Sequence, residues 1–344
     1  MARGSRLARR GYRAAMAGSD TPSLGTLTDL CTPWCIHVAA TLRIPHLIAD
    51  GTDGVAELAE QAGCDPDVLH SVLGHLAAKG VLAEGPPGRF GLTDLGKQLL
   101  EASPFLDLDG IGGRMAHAWG TLLTYVRTGR PAYHEVFGAP FWEDLATHPE
   151  VAASFDALMG PAGHGAPDID LPLAGGWEGV QTVVDVGGGT GALLAALLQA
   201  HPHLEGTLVD LPGTVARSAP TFAAAEVTDQ ATAVAQSFFD PLPAGADVYL
   251  LMKVLNDWPD DVTTAILRRC AEAVPPTGRI LVVGGVAPDD APHGLVIEMV
   301  LLGGRTDSLV RFRQRAAEAG LAVTATGRTG AGRFAVECRR AGAV

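Results

Sequence analysis

The stretch Val183-Val184-Asp185-Val186-Gly187-Gly188-Gly189-Thr190-Gly191 decides the fold. A short, mostly apolar run breaks into glycines, and the residues from Gly191 to Ala200 then follow a helical pattern. The segment predicts a buried strand, a tight turn and a helix whose first N–H groups are free to meet a ligand. Such a turn makes a nucleotide-sized cofactor site. Thr207-Leu208-Val209 is a second β-rich run ending in Asp210. That places Asp210 at the tip of the neighbouring parallel strand, where a carboxylate accepts both hydroxyls of a ribose.

Gly187, Gly189 and Gly191 form a G-x-G-x-G pattern that departs from the dinucleotide fingerprint, and no Gly-Lys-Ser/Thr follows, which excludes a P-loop. Asp185, just before the glycines, opposes a pyrophosphate and suits a cationic ligand. S-adenosylmethionine (SAM) meets that preference; the alternative is a strand-to-helix turn that holds no ligand.

At 344 residues and 47% hydrophobic content the chain supports two domains, because the glycine turn lies past the midpoint. A net charge of -13 argues against nucleic acid and anionic membranes as partners and favours small molecules. No apolar run is long enough to span a bilayer. Five scattered cysteines argue against a disulfide framework and for a reducing cytoplasm, and Cys31 and Cys35 read as core thiols, with no metal site expected. Residues 1–20, rich in arginine, read as a disordered tail.

Residues 21–103 read as a winged helix. Two helices flank the turn Gly63-Cys64-Asp65-Pro66-Asp67, and Val81-Leu82-Ala83-Glu84 with Arg89-Phe90-Gly91-Leu92 forms a hairpin. A DNA-binding regulator would read bases from Pro66 to Lys79, yet only His70, Ser71, His75 and Lys79 offer polar reach there, with no arginine. The apolar residues Val68, Leu69, Val72, Leu73 and Leu76 favour a dimerisation module instead. Residues 104–174 are helical and concentrate aromatics in a chain with only 6% of them. Trp119, Trp142, Phe155 and Met159 are candidates for a flat apolar substrate lid, with His117, His134 and His164 as its possible acids or bases. Over residues 175–344 strands and helices alternate: Asp247 to Met252, Arg279 to Val286, Leu321 to Thr326 and Arg333 to Arg339 as strands, Asp260 to Val274 and Leu309 to Ala319 as helices. The fold class is therefore α/β, a Rossmann-like doubly wound SAM domain behind an N-terminal winged helix.

Three motifs together resemble the class I SAM-dependent small-molecule O-methyltransferases. They are the glycine turn with Asp210-Leu211-Pro212, the segment Ser237-Phe238-Phe239-Asp240-Pro241-Leu242-Pro243, and Val254-Leu255-Asn256-Asp257-Trp258-Pro259. Arg127-Thr128-Gly129-Arg130-Pro131-Ala132-Tyr133 and Phe141-Trp142-Glu143-Asp144-Leu145 are similar to the anthracycline O-methyltransferase and hydroxylase branch, which tailors aromatic polyketides. The resemblance runs from about residue 25 to 340 and implies an intertwined homodimer acting on an aromatic small molecule. It implies that Gly187 and Gly189 meet the methionine part of SAM, Asp210 the ribose and Phe238 the adenine face, with Ser237 able to accept from the adenine amine; Asp185, Leu211, Met252 and Lys253 complete the expected cofactor-binding residues. Glu298, Met299, Leu302, Arg305 and Asp307 read as a helix and loop that close the pocket floor, with Glu298 a second candidate base.

The chain departs from the family twice. Gln236-Ser237 stands where an acid usually meets the adenine amine. Asn256 stands where many relatives carry the histidine that deprotonates the acceptor, and Gly284 and Thr306 replace two supporting glutamates. Asparagine takes no proton near neutral pH. Two readings follow: methyl transfer by positioning at Asn256, with Asp257 assisting, or a SAM-bound enzyme that runs another reaction of hydroxylase, decarboxylase or cyclase type.

Overall fold

The computed structural model describes residues 23–159, 167–292 and 294–342; the expected tail over residues 1–20 and His164 lie outside the described residues. Two compact units meet in sequence at Gly113 and Arg114.

In the first unit, helices Cys31–Thr41, Val55–Ala62 and Pro66–Ala78 precede a hairpin of β1 (Leu82–Glu84) and β2 (Phe90–Leu92), and helix Asp94–Leu106 follows. The turn between the second and third helices forms as its residues dictate. Gly63 ends one helix at φ +65°, and the Asp65 carboxylate caps the next by accepting from the amides of Asp67 and Val68. Ile44, Leu58, Leu73, Leu76 and Phe90 are buried in the core, whereas Val68 is exposed. Three of the polar residues that a base-reading helix would need are engaged inside the unit. His70 lies 3.7 Å from Glu84, His75 is 2.8 Å from the Thr32 hydroxyl, and Lys79 is 2.7 Å from Asp29. Leu24, Leu27 and Leu30 are exposed at its start, an apolar face of the kind a partner covers.

The second unit is built on a seven-stranded sheet of β3 (Thr182–Val186), β4 (Glu205–Asp210), β5 (Ala231–Ala235), β6 (Val248–Met252), β7 (Arg279–Val283), β10 (Leu321–Arg328) and β11 (Phe334–Arg340). Their order is β10-β11-β7-β6-β3-β4-β5, with β11 antiparallel to both its neighbours and the others parallel. Residues alternate between the two faces with period two. Val184, Tyr249, Leu251, Ile280 and Val282 pack with helices Asp260–Ala273 and Leu309–Glu318; Val183, Leu208, Leu250 and Leu281 pack with helix Ala192–Ala200. The order reverses between β6 and β3, so the turns after these strands open onto one crevice at their carboxyl ends.

Two details differ from the sequence reading. Ala231-Thr232-Ala233-Val234-Ala235 forms the edge strand β5 although alanines disfavour strands, because its backbone completes the ladder with β4. The run from Arg279 to Val286 is broken at Gly284 and Gly285, both at positive φ, and Val286–Ala287 forms the separate strand β8, paired with β9 (Asp307–Ser308). No helix among the described residues is long and apolar enough to cross a membrane.

Candidate cofactor and active site

The glycine turn after β3 is held from both sides. Gly187 donates to the Val209 carbonyl at 2.8 Å, and Gly189 donates to the Asp210 carboxylate at 2.8 Å. The other Asp210 oxygen accepts from the Leu211 amide at 2.7 Å, so one carboxylate ties together the ends of two adjacent strands. Gly187, Gly189 and Gly191 all have positive φ. A Cβ at Gly187 would stand 3.0 Å from Val254 and 3.4 Å from the Phe238 ring, and a Cβ at Gly188 would stand 2.4 Å from an Asp185 oxygen. Glycine is therefore a requirement of close packing around this turn.

Asp185 lies beneath the turn, 1% exposed, and neither of its oxygens has a hydrogen-bond partner. Burial, with the nearby Asp210 charge, pushes its carboxyl up to about 7. Burial also raises Asp210, against the two amides that favour its ionised form. A buried carboxylate without donors is costly. It matches a cationic ligand, and SAM brings both an ammonium and a sulfonium.

Beyond the turn, Phe238, Phe239 and Trp258 form an aromatic wall. The Phe238 and Trp258 rings meet edge to face at 5.8 Å, and Trp258 stacks on Trp142 at 6.3 Å, which packs on Phe155 at 5.6 Å. The Ser237 hydroxyl accepts from the Phe239 amide at 3.2 Å. Trp258 is the hub of this wall, a role that the motif containing it did not disclose. The Trp142 indole N–H is buried without a partner.

After β6, Met252 is half-buried and Lys253 adopts φ +55° while its amide donates to Val283 at 2.8 Å. Burial and Arg333 lower the Lys253 ammonium, opposed by Glu298 and Asp257. The turn Leu255–Asp257 follows. Asn256 donates through its amide nitrogen to Asp257 at 2.8 Å, leaving its side-chain oxygen buried without a partner. Burial, reinforced by Glu298 and opposed by Lys253, pushes Asp257 up to about 8. Gly285 and Gly304 clamp this turn. A Cβ on the first would stand 2.9 Å from the Asn256 backbone nitrogen, and a Cβ on the second 2.0 Å from the Asn256 backbone carbonyl oxygen.

Helix Ile297–Leu301, which carries Glu298 and Met299 and is followed by Leu302, packs on the Asn256 turn and on the turn Trp119–Thr121. The structure thus gathers Asp185, the glycines, Asp210, Phe238, Trp258, Trp142, Phe155, Asn256, Asp257 and Glu298 in one region. Met159, His117 and His134 are exposed, and His117 stands beside Phe137 at 6.4 Å. Arg305 and Asp307, expected in the pocket floor, belong to an ion network in which Asp260 also pairs with Arg311 and Arg315, each at 2.7 Å.

The family model for the O-methyltransferase domain matches residues 119–321, and that for the O-methyltransferase dimerisation domain matches residues 25–102. The chain is 42% identical over 327 residues to the 2,7-dihydroxy-5-methyl-1-naphthoate 7-O-methyltransferase of Streptomyces carzinostaticus, covering 92% of this chain and 95% of the relative. It is 40% identical over 320 residues to the aclacinomycin 10-hydroxylase RdmB of Streptomyces purpurascens, covering 87% and 84%. An O-methyltransferase from neocarzinostatin biosynthesis, solved with SAM and 2-hydroxy-5-methyl naphthoic acid, is similar with a TM-score of 0.85 at 40% identity, over 94% of this chain and 100% of that one.

Proposed function

The chain belongs to the SAM-dependent O-methyltransferase family, and on that footing we propose that it methylates a hydroxyl of a polycyclic aromatic natural product without a histidine base. It is a SAM-dependent methyltransferase that carries the family's dimerisation domain and works as a homodimer. When bound, SAM supplies an electrophilic methyl group on its sulfonium.

The observation that carries the proposal is the unpartnered side-chain oxygen of Asn256 beside Asp257. Asp257 accepts from the Asn256 amide nitrogen and so fixes which way the amide points. The free oxygen then accepts the acceptor hydroxyl and holds it in line. Orientation of this kind supplies about 7–11 kcal/mol in favourable cases. Asp257, pushed up to about 8, has a proton affinity suited to relieving a phenol of its proton near neutral pH.

Around the cofactor, Asp185 compensates positive charge and Gly187 and Gly189 admit the methionine part. Asp210 and Leu211 meet the ribose, Ser237 and Phe238 the adenine, and Met252 and Lys253 adjoin it. Trp142, Trp258 and Phe155 offer flat surfaces for an aromatic acceptor, with Trp119, His117, Met159, Met299 and Leu302 at the margin. The helices between Trp119 and Met159 act as the lid. The five cysteines are all unpaired, which supports a reducing, cytoplasmic setting.

The similarity to the aclacinomycin 10-hydroxylase favours a second reading, in which the bound sulfonium stabilises an anionic intermediate of another reaction. Mass spectrometry of the homodimer with SAM and a panel of phenolic polyketide acceptors separates the two. The proposal expects an acceptor heavier by one methyl with matching S-adenosylhomocysteine; an altered acceptor with SAM untouched would support the second reading.

A further inference from the structure

The first unit gathers three soft or borderline ligands outside the cofactor and acceptor site. Cys31 and Cys35 stand one turn apart on helix Cys31–Thr41, and that spacing sets both side chains on one face. Their sulfurs are 3.7 Å apart. Two thiolates on one tetrahedral Zn²⁺, each about 2.3 Å from the metal, are held about 3.8 Å apart. His75, from helix Pro66–Ala78, brings a ring nitrogen within 4.8 Å of both sulfurs. Among the described residues no other three His, Cys, Asp or Glu side chains gather this closely.

The imidazole is already oriented. His75 Nε2 lies 2.8 Å from the Thr32 hydroxyl, which donates to the Asp29 carboxylate at 2.6 Å. A hydroxyl backed by a carboxylate is the kind of support that orients metal-bound histidines. Asp29 is fixed in turn by the Cys31 amide at 2.9 Å and by Lys79 at 2.7 Å. Cys31 lies at the surface of the chain and Cys35 is buried, so the site sits at the edge of the unit's core.

We propose that Cys31, Cys35 and His75 form a binding site for a soft divalent cation of the Zn²⁺ class, held against the N-terminal helices of the dimerisation unit. Two thiolates with one imidazole select such an ion over Mg²⁺ or Ca²⁺, whose preferred ligands are oxygens. Three protein ligands leave a fourth position for water. The cysteine spacing alone reads as core packing; the histidine from a second helix changes the chemistry.

The test is titration of the reduced, chelator-stripped full-length homodimer with Co²⁺, followed by displacement with Zn²⁺. The site should give a thiolate-to-cobalt charge-transfer band with the visible bands of tetrahedral cobalt, saturating at one ion per chain and abolished by Zn²⁺. Thr32→Val should weaken binding by about 10–100-fold, and Cys31→Ser and His75→Ala by more, while Cys64→Ser leaves it unchanged. Cys31 is exposed in the chain, so Cys31→Ser should keep the fold, checked by unaltered helical circular dichroism and an unaltered dimer. Absence of the charge-transfer band in the reduced protein, or a band that survives in both Cys31→Ser and His75→Ala, would overturn the proposal.

Discussion

Two buried aspartates in the second unit face opposite situations. Asp144, in the helix Phe141–Thr147, is 1% exposed and fully partnered. Tyr133 donates to it at 2.6 Å, Arg114 at 2.8 Å, and His148 stands 3.0 Å from its other oxygen. Burial raises its affinity for a proton, but the Tyr133 and Arg114 hydrogen bonds outweigh that and hold it below its ordinary value. Asp185 is equally buried and has no partner, and it moves the other way, to about 7. The contrast teaches that burial alone does not identify a working acid. Asp144 is complete and holds helices together, whereas both oxygens of Asp185 lack a partner, as the proposed role beside a cation requires. The unpartnered atoms of Asn256 and Trp142 fall on the same side of this division as Asp185.

The largest effect is expected at Asp144. Asp144→Ala strands the Arg114 guanidinium and the Tyr133 hydroxyl, and loss of one partner from a buried pair costs about 3–5 kcal/mol. Urea unfolding should show that loss, whereas a change under 1 kcal/mol would place Asp144 with ordinary surface charges.

Next comes pH. Carboxyls raised to about 7 at Asp185 and about 8 at Asp257 bind protons in the folded state that the unfolded chain has released. Stability of the cofactor-free protein should therefore fall as pH rises from about 4 toward 8, by on the order of 4 kcal/mol for Asp185. Asp185→Asn should flatten the decline and raise stability at pH 8. An unchanged slope in that variant would assign the effect elsewhere.

A smaller effect tests the acceptor side. Asn256→Ala should lower kcat by about 100-fold with little change in KM, since misplacing a reacting group costs that much. Asp257→Asn should remove the rise in kcat through pH 8 and leave the KM for SAM in place. A kcat unchanged in Asn256→Ala would remove the orienting role.

Much of this division was legible in the sequence. Val183 to Gly191 and Asp210 announced the strand, the glycine turn and the helix, because strand, glycines and acid follow one another locally. Gly63 and Asp65 announced the turn of the winged helix in the same way. The features that local sequence does not reveal depend on distant partners. Asp144 draws Arg114 from thirty residues away, Trp258 acquires its role only by meeting Trp142 and Phe238, and Gly304 matters because the Asn256 turn lies against it. Strand β5 was hidden because pairing with β4 outweighs the poor strand propensity of its alanines.

The most direct measurement is calorimetric titration of SAM into the wild type and Asp185→Asn near pH 7, in buffers of different ionisation enthalpy. A cation settling over Asp185 lowers its affinity for the proton, so the account expects the wild type to release more protons than the variant on binding. It also expects at least a tenfold weaker Kd in the variant, about 1.4 kcal/mol. Equal affinity and equal proton release in the two proteins would contradict the claim that Asp185 is the acid completed by the cofactor.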